Sequence, residues 1–194
     1  MHKLTALALS TCCTLVSTAA LAQQRMGELQ WFDGTSLSLG VSANSSTTTT
    51  AAGLQESGSS NVGVAKVSYI FDSNSRYKLG LGASADLQKS VVTGSVSMGR
   101  KTPTELTLEP GYLLSTTTLS YAKLGNYASS YATPFGSKDV SGRTYGVGVK
   151  SFLDQRFFIQ AEWTQHKANG SAALGWDKFK QTSTSVLLGY NLYN

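Results

Sequence analysis

Eight charged side chains stand where chemistry or pairing has to be explained: Lys66, Lys78, Lys123 and Lys150, with Asp86, Glu105, Glu109 and Glu162. Glu105, Glu109 and Glu162 are candidate acid/base carboxylates, since a pair of carboxyls can divide proton donation and acceptance. The basic residues near them point to ion pairing instead, because enclosed charges are tolerated when opposite signs meet. The two histidines are His2 and His166, too few for a His-rich metal cluster. Gly80-Leu81-Gly82 and Gly146-Val147-Gly148 are Gly-x-Gly pairs. They lie inside alternating segments, where glycine makes room and does not cradle phosphate. The residues predict no catalytic, cofactor-binding or metal site, and no cofactor.

The elements that must position these groups are extended. The chain has 194 residues, 41% hydrophobic and 14% charged, with 3 Pro and 19 Gly. This is one domain's length, with too little Pro for a Pro-rich disordered chain. A net charge of +5 without any clustered Lys/Arg block argues against nucleic acid as a partner. Residues 1–22 read as a secretory leader, with Lys3 at the start, an apolar stretch from Leu4 to Val16, and Ala20-Leu21-Ala22 before the cut. Cleavage after Ala22 removes Cys12 and Cys13, so the single domain at 23–194 has no disulfide framework.

No later stretch holds 18 consecutive apolar residues, so no transmembrane helix is available. What recurs is a period of two over about ten residues. Eight such segments run Ser36–Asn44, Asn61–Phe71, Tyr77–Leu87, Thr104–Leu114, Thr118–Ala128, Gly142–Ser151, Arg156–His166 and Gln181–Leu192. The links alternate in length. Asp72–Arg76, Ser115–Thr117 and Phe152–Gln155 are short, whereas Ser45–Ser60, Gln88–Pro103, Ser129–Val140 and Lys167–Lys180 are long and polar. Short turns at one end and long loops at the other are the rhythm of an outer-membrane barrel. A strand tilted by about 45° crosses a bilayer in roughly 9–11 residues, close to the segment length. The predicted fold is therefore all-β: an eight-stranded antiparallel up-and-down transmembrane β-barrel.

Alternation then assigns faces. Leu79, Leu81, Leu106, Leu108, Val147, Val149, Ile159, Val186 and Leu188 fall on the lipid-facing side. Tyr69, Phe71, Tyr77, Tyr112 and Tyr190 sit at segment ends, where aromatics favour the water–lipid boundary. The eight charged residues fall on the opposite, inward face among Gly, Ser and Thr, as an interior ion-pair network. A hairpin centred on Thr116 sets Glu109 opposite Lys123. About eight strands leave a bore that side chains fill, so no wide pore is expected.

Leu108-Glu109-Pro110-Gly111-Tyr112-Leu113-Leu114, followed by Thr118-Leu119-Ser120-Tyr121-Ala122-Lys123-Leu124-Gly125, resembles the central hairpin of small outer-membrane barrels. These are the porin-family proteins of outer-membrane protein A/X type. Tyr145-Gly146-Val147-Gly148-Val149, Ala161-Glu162-Trp163 and Val186-Leu187-Leu188-Gly189-Tyr190 are similar to their later strands. The resemblance implies a monomeric protein of a Gram-negative outer membrane, porin-like by family, with a structural or surface-interaction role. The partners implied are outer-membrane lipid, lipopolysaccharide, the barrel-assembly machinery, and a host or cell-surface ligand met through the outer loops, the Ser/Thr-rich first loop above all. Two alternatives stand beside it. One is a soluble exported β-sandwich binding module. The other is a lipid-modifying barrel enzyme, although the serine such enzymes carry two residues after their histidine is missing after His166.

Overall fold

A computed structural model describes residues 31–50, 52–71, 75–88, 90–91, 99–133, 136–171 and 176–192. The expected leader lies outside them, as do Asp72–Asn74 of the first short link and residues 89 and 92–98 of the second long one. The strands are β1 (Gly34–Thr49), β2 (Gln55–Ile70), β3 (Tyr77–Asp86), β4 (Ser90–Val91), β5 (Gly99–Leu113), β6 (Thr118–Thr133), β7 (Gly136–Phe152), β8 (Phe157–Ser171) and β9 (Trp176–Asn191). Every pairing is antiparallel. β1 meets β9 from Ser36↔Asn191 to Thr49↔Lys178, and β3 meets β5 from Tyr77↔Tyr112 to Ala85↔Thr104. The two-residue β4 continues the place of β3 beside Gly99 and Arg100. The sheet thus closes on itself as an eight-stranded barrel, with no helix among the described residues. Closure leaves no second sheet, which excludes the sandwich alternative.

The strands outrun the alternating segments chiefly at one end. β1 continues past Asn44 to Thr49, β2 begins at Gln55, and β8 passes His166 to reach Ser171. His166 therefore does not end its strand. The link expected at Ser45–Ser60 is mostly hairpin: Thr49 pairs with Gln55, and Gly53 turns the chain at φ 80°. Extended Ser and Thr pair their backbones as well as any residue. Above a bilayer, however, neither face of the wall has to be apolar, so the period of two fades while the ladder continues.

The short turns gather at the opposite end. Leu114 N–H donates to Thr118 O at 2.9 Å, and Leu153 N–H donates to Phe157 O at 2.8 Å. Asp154 Oδ1 accepts the backbone N–H groups of Phe157 and Arg156, which holds this exposed carboxyl below the usual range. The bore at this end is closed by apolar side chains. Ile70, Leu113, Leu119, Phe152 and Phe158 point inward, and Phe32 packs edge-on against Phe152 at 4.9 Å. Asn191 Nδ2 donates to Trp31 O at 2.7 Å, tying the segment before β1 across the mouth. Alternation places charges, Gly, Ser and Thr on the inward face, and this apolar cluster joins them in the bore.

Several inward glycines are required by close backbone approach. A Cβ on Gly125 would overlap the Leu106 carbonyl oxygen and stand 2.8 Å from Thr107 Cα. Neither atom can swing aside. Gly125→Ala is expected to cost about 1–3 kcal/mol by overpacking. Urea unfolding of the barrel folded into lipid vesicles measures it, and an unchanged midpoint would contradict this close packing.

Candidate functional site

Above the apolar floor lies a layer of charges whose shortest ion pairs join strands that are not neighbours. Lys66 on β2 is 3% exposed and Glu162 on β8 is 6% exposed. Lys66 Nζ donates to Glu109 Oε1 at 2.5 Å and to Glu162 Oε1 at 2.6 Å. Glu162 also accepts Tyr121 OH at 2.5 Å, Gln160 Nε2 at 2.6 Å and, through Oε2, Lys123 Nζ at 2.9 Å. It is the hub of the layer, receiving four donors from three strands, β2, β6 and β8. Lys123 Nζ also lies 3.2 Å from Glu105 Oε1, an ion-pair distance without hydrogen-bond geometry. Thr107 Oγ1 completes the shell of Glu109 at 3.0 Å. Buried charges this closely paired and hydrogen-bonded offset much of their desolvation cost.

The partners differ from those a simple hairpin suggests. Leu108↔Leu124 and Gly111↔Tyr121 keep one register, which sets Glu109 opposite Lys123. The β5–β6 ladder skips Glu109 and Pro110, and Pro110 has no N–H to give. Glu109 nonetheless bonds to Lys66, and Lys123 turns to Glu162. The bore is narrow enough that the shortest path between opposite charges runs across it.

Of the other charged residues, Lys78, Lys150 and Asp86 form no ion pair with Glu162, and Glu105 borders the hub through Lys123. Lys78 pairs with Asp33, just before β1, at 2.7 Å. Lys150 Nζ donates to Ser36 Oγ at 3.1 Å and Ser68 Oγ at 3.3 Å, and stands 4.4 Å from the centre of the Phe158 ring. Its contacts are hydroxyls and a π face rather than a carboxylate. Asp86 and Glu105 line a cavity of about 30 Å³ on the long-loop side of the hub, with Ser84, Gln181 and His166. That volume suits about one water molecule. His166 is buried, with Nδ1 2.8 Å from Thr144 Oγ1 and its ring edge-on to Tyr127 at 5.0 Å. No group of His, Cys, Asp and Glu suited to a metal ion occurs among the described residues.

Outward, the wall is layered. Leu79, Leu81, Leu106, Leu108, Val147, Ile159, Val186 and Leu188 are exposed on it, and Val149 is half-buried. Tyr69 and Phe71 stack edge-on at 5.2 Å near the short turns, as Tyr77 and Tyr112 do at 5.2 Å in a tilted pair. Tyr190 packs on Phe157 at 5.1 Å and accepts Arg156 Nη1 at 2.7 Å.

Two residue sets escape alternation. The apolar floor comes from adjacent apolar pairs, such as Leu113-Leu114, Phe152-Leu153 and Phe157-Phe158, in which one member faces out and the other in. Doubled apolar residues beside each turn are the signal that could have found it. Asp33 lies outside every alternating segment and carries no such signal.

The profile of the outer membrane protein beta-barrel domain matches residues 6–191 of this chain. No curated protein sequence matches it significantly. Among solved structures, it is similar to Ail, the attachment invasion locus protein of Yersinia pestis, solved in complex with the heparin analogue sucrose octasulfate. The identity there is 18% and the TM-score 0.54, over 81% of this chain and 98% of that one. It is also similar to Neisserial surface protein A, at 11% identity and a TM-score of 0.53, over 82% of this chain and 100% of that one. The closed eight-stranded wall and a profile match running nearly from end to end lead to one conclusion: the chain belongs to the outer membrane protein beta-barrel domain family.

Proposed function

We propose that this outer-membrane barrel is a sealed, non-enzymatic monomer with a structural or surface-interaction role, carried by the polar strand extensions and loops above the bilayer. The observation that carries the reading is the filled bore. An apolar floor and a crossed ion-pair layer occupy it, and the cavity above the ion pairs measures about 30 Å³. A wide diffusion path needs an open lumen, and eight strands supply little more than side-chain room. In this reading the export leader is cut after Ala22, the exposed apolar wall faces lipid, and the aromatic pairs beside the short turns sit at the periplasmic boundary. Partners are the surrounding lipid, lipopolysaccharide, the barrel-assembly machinery and a cell-surface ligand at the outer rim. The complex of Ail with a heparin analogue makes a polyanionic ligand one candidate class at that rim. The lipid-modifying alternative has weaker support, since His166 is engaged with Thr144 and Tyr127 inside the bore.

Conductance across planar bilayers tests the seal. The folded protein is expected to add no stepwise current, and discrete large steps from the unaltered protein would overturn the reading.

The lipid-facing assignment predicts that Leu81→Arg and Val147→Arg each lose about 2–4 kcal/mol of stability, the cost of arginine near the bilayer midplane. The fraction folded into vesicles, read by heat-dependent gel mobility, reports it. Normal assembly of both variants would refute the assignment.

The hub predicts a third result. Glu162→Gln leaves Lys66 and Lys123 short of a counter-charge, and breaking such buried pairs costs about 3–5 kcal/mol. Urea unfolding from vesicles should show a loss of that size, and a loss below about 1 kcal/mol would remove Glu162 from the centre of the network.

A further inference from the structure

The outer wall carries a second charged feature that the bore does not explain. Arg143 on β7, Lys167 on β8 and Lys180 on β9 are consecutive cross-strand partners: Arg143↔Lys167 and Lys167↔Lys180. All three are exposed on the outer face, and Lys178, two residues along β9 on the same face, is exposed above them. Neighbouring strands stand about 4.8 Å apart, so three cations span roughly 10 Å in one row. Like charges directly opposite one another destabilise a sheet. No carboxylate among the described residues forms an ion pair with Arg143, Lys167 or Lys180. Asp139, the described acid on the outer face of β7, accepts a hydrogen bond from Ser130 instead.

The height of the row is informative. On the same three strands the next layer towards the short turns is Tyr145, Gln165 and Thr182, joined by hydrogen bonds from Tyr145 OH to Gln165 and from Gln165 Nε2 to Thr182 Oγ1. Below that come Val147, Trp163 and Thr184, then Val149, Ala161 and Val186. The wall therefore passes from apolar, through an amphipathic aromatic and amide layer, to a cationic row. That is the order met on leaving the hydrocarbon of a bilayer through its headgroups. Lys167 Nζ stands 5.1 Å from the centre of the Tyr145 ring, which holds the row against this boundary. The row lies on the long-loop side, and in the reading above that side is the outer leaflet.

We propose that Arg143, Lys167 and Lys180, with Lys178 above them, form a binding site for the phosphorylated saccharide headgroup of an outer-leaflet lipid. Charge complementarity names the occupant. A headgroup bearing more than one phosphate offsets the repulsion along a 10 Å row better than a single phosphate does. The site rests on the membrane-spanning reading, because its lipid reaches the wall only from within a bilayer.

The test uses the folded protein in neutral detergent micelles, with bisphosphorylated lipid A as the probe. Bound lipid is counted by native mass spectrometry, and the unfolding midpoint is read by heat-dependent gel mobility. Lipid A should bind the unaltered protein and raise its midpoint. The triple variant Arg143→Gln, Lys167→Gln, Lys180→Gln should bind it at least tenfold more weakly and lose the shift. Without lipid that variant should unfold no earlier than the unaltered protein, since relief of repulsion along the row offsets the loss of the Lys167–Tyr145 contact. The paired control Arg76→Gln, Arg156→Gln changes charge at the short-turn end and should bind normally. Lys167→Gln alone gives an intermediate loss if the row acts as a unit, and supplies the comparison if the triple variant folds poorly. Undiminished binding by the glutamine variants, or equal loss in the control, overturns the site. Equal binding of phosphatidylglycerol or of inorganic phosphate overturns the saccharide-lipid assignment. Failure of the membrane reading shows separately, as a protein extracted by carbonate or without a heat-sensitive folded band.

Discussion

Inside hydrocarbon a backbone N–H or C=O finds no water, and leaving it unpaired costs several kcal/mol. The β3–β5 seam is therefore as necessary to this protein as any side chain, because it turns a sheet with two open margins into a ring with none. The other features follow from that closure. Eight strands make a narrow cylinder, which dictates small residues where backbones crowd, as at Gly125 beside Leu106. What remains of the lumen must then be filled.

The fill is of two kinds, each suited to its depth. Near the short turns, Phe32, Phe152 and Phe158 pack as an ordinary apolar cluster. Farther in, Glu162 collects Lys66, Lys123, Tyr121 and Gln160. A carboxylate has about four lone-pair sites, and this one is served by four donors. Lys150 sits between the two zones, with hydroxyls on one side and the Phe158 ring on the other.

The membrane itself explains how much of this could be read from the sequence. Where both faces of a strand meet different media, residues such as Leu79, Leu81 and Ala83 must alternate with Lys78, Gly80 and Gly82, and the strand is visible. Where the wall rises above the bilayer, Ser45 to Thr49 pair with Gln55 to Ser59 under no such demand, and the strand looks like a loop. The turns were legible for a related reason, since each falls where alternation stops on both sides. Side-chain partners across the lumen were not. The 96 residues separating Lys66 from Glu162 leave no periodic trace, and only the closed cylinder sets them face to face. The apolar floor was hidden because alternation assigns one apolar face per strand, and Phe157-Phe158 occupies both.

Ties that cross the lumen, rather than follow the wall, have a consequence for assembly. Lys66 on β2, Glu109 on β5, Lys123 on β6 and Glu162 on β8 belong to four strands, and no hairpin contains a complete set. A partly built sheet holds these charges without their mates, and they are satisfied together only as the cylinder shuts. The last step of construction is thus also the one that neutralises the interior. Dismantling must begin by reopening the whole spoke-like array, so the finished barrel resists being unzipped one strand at a time.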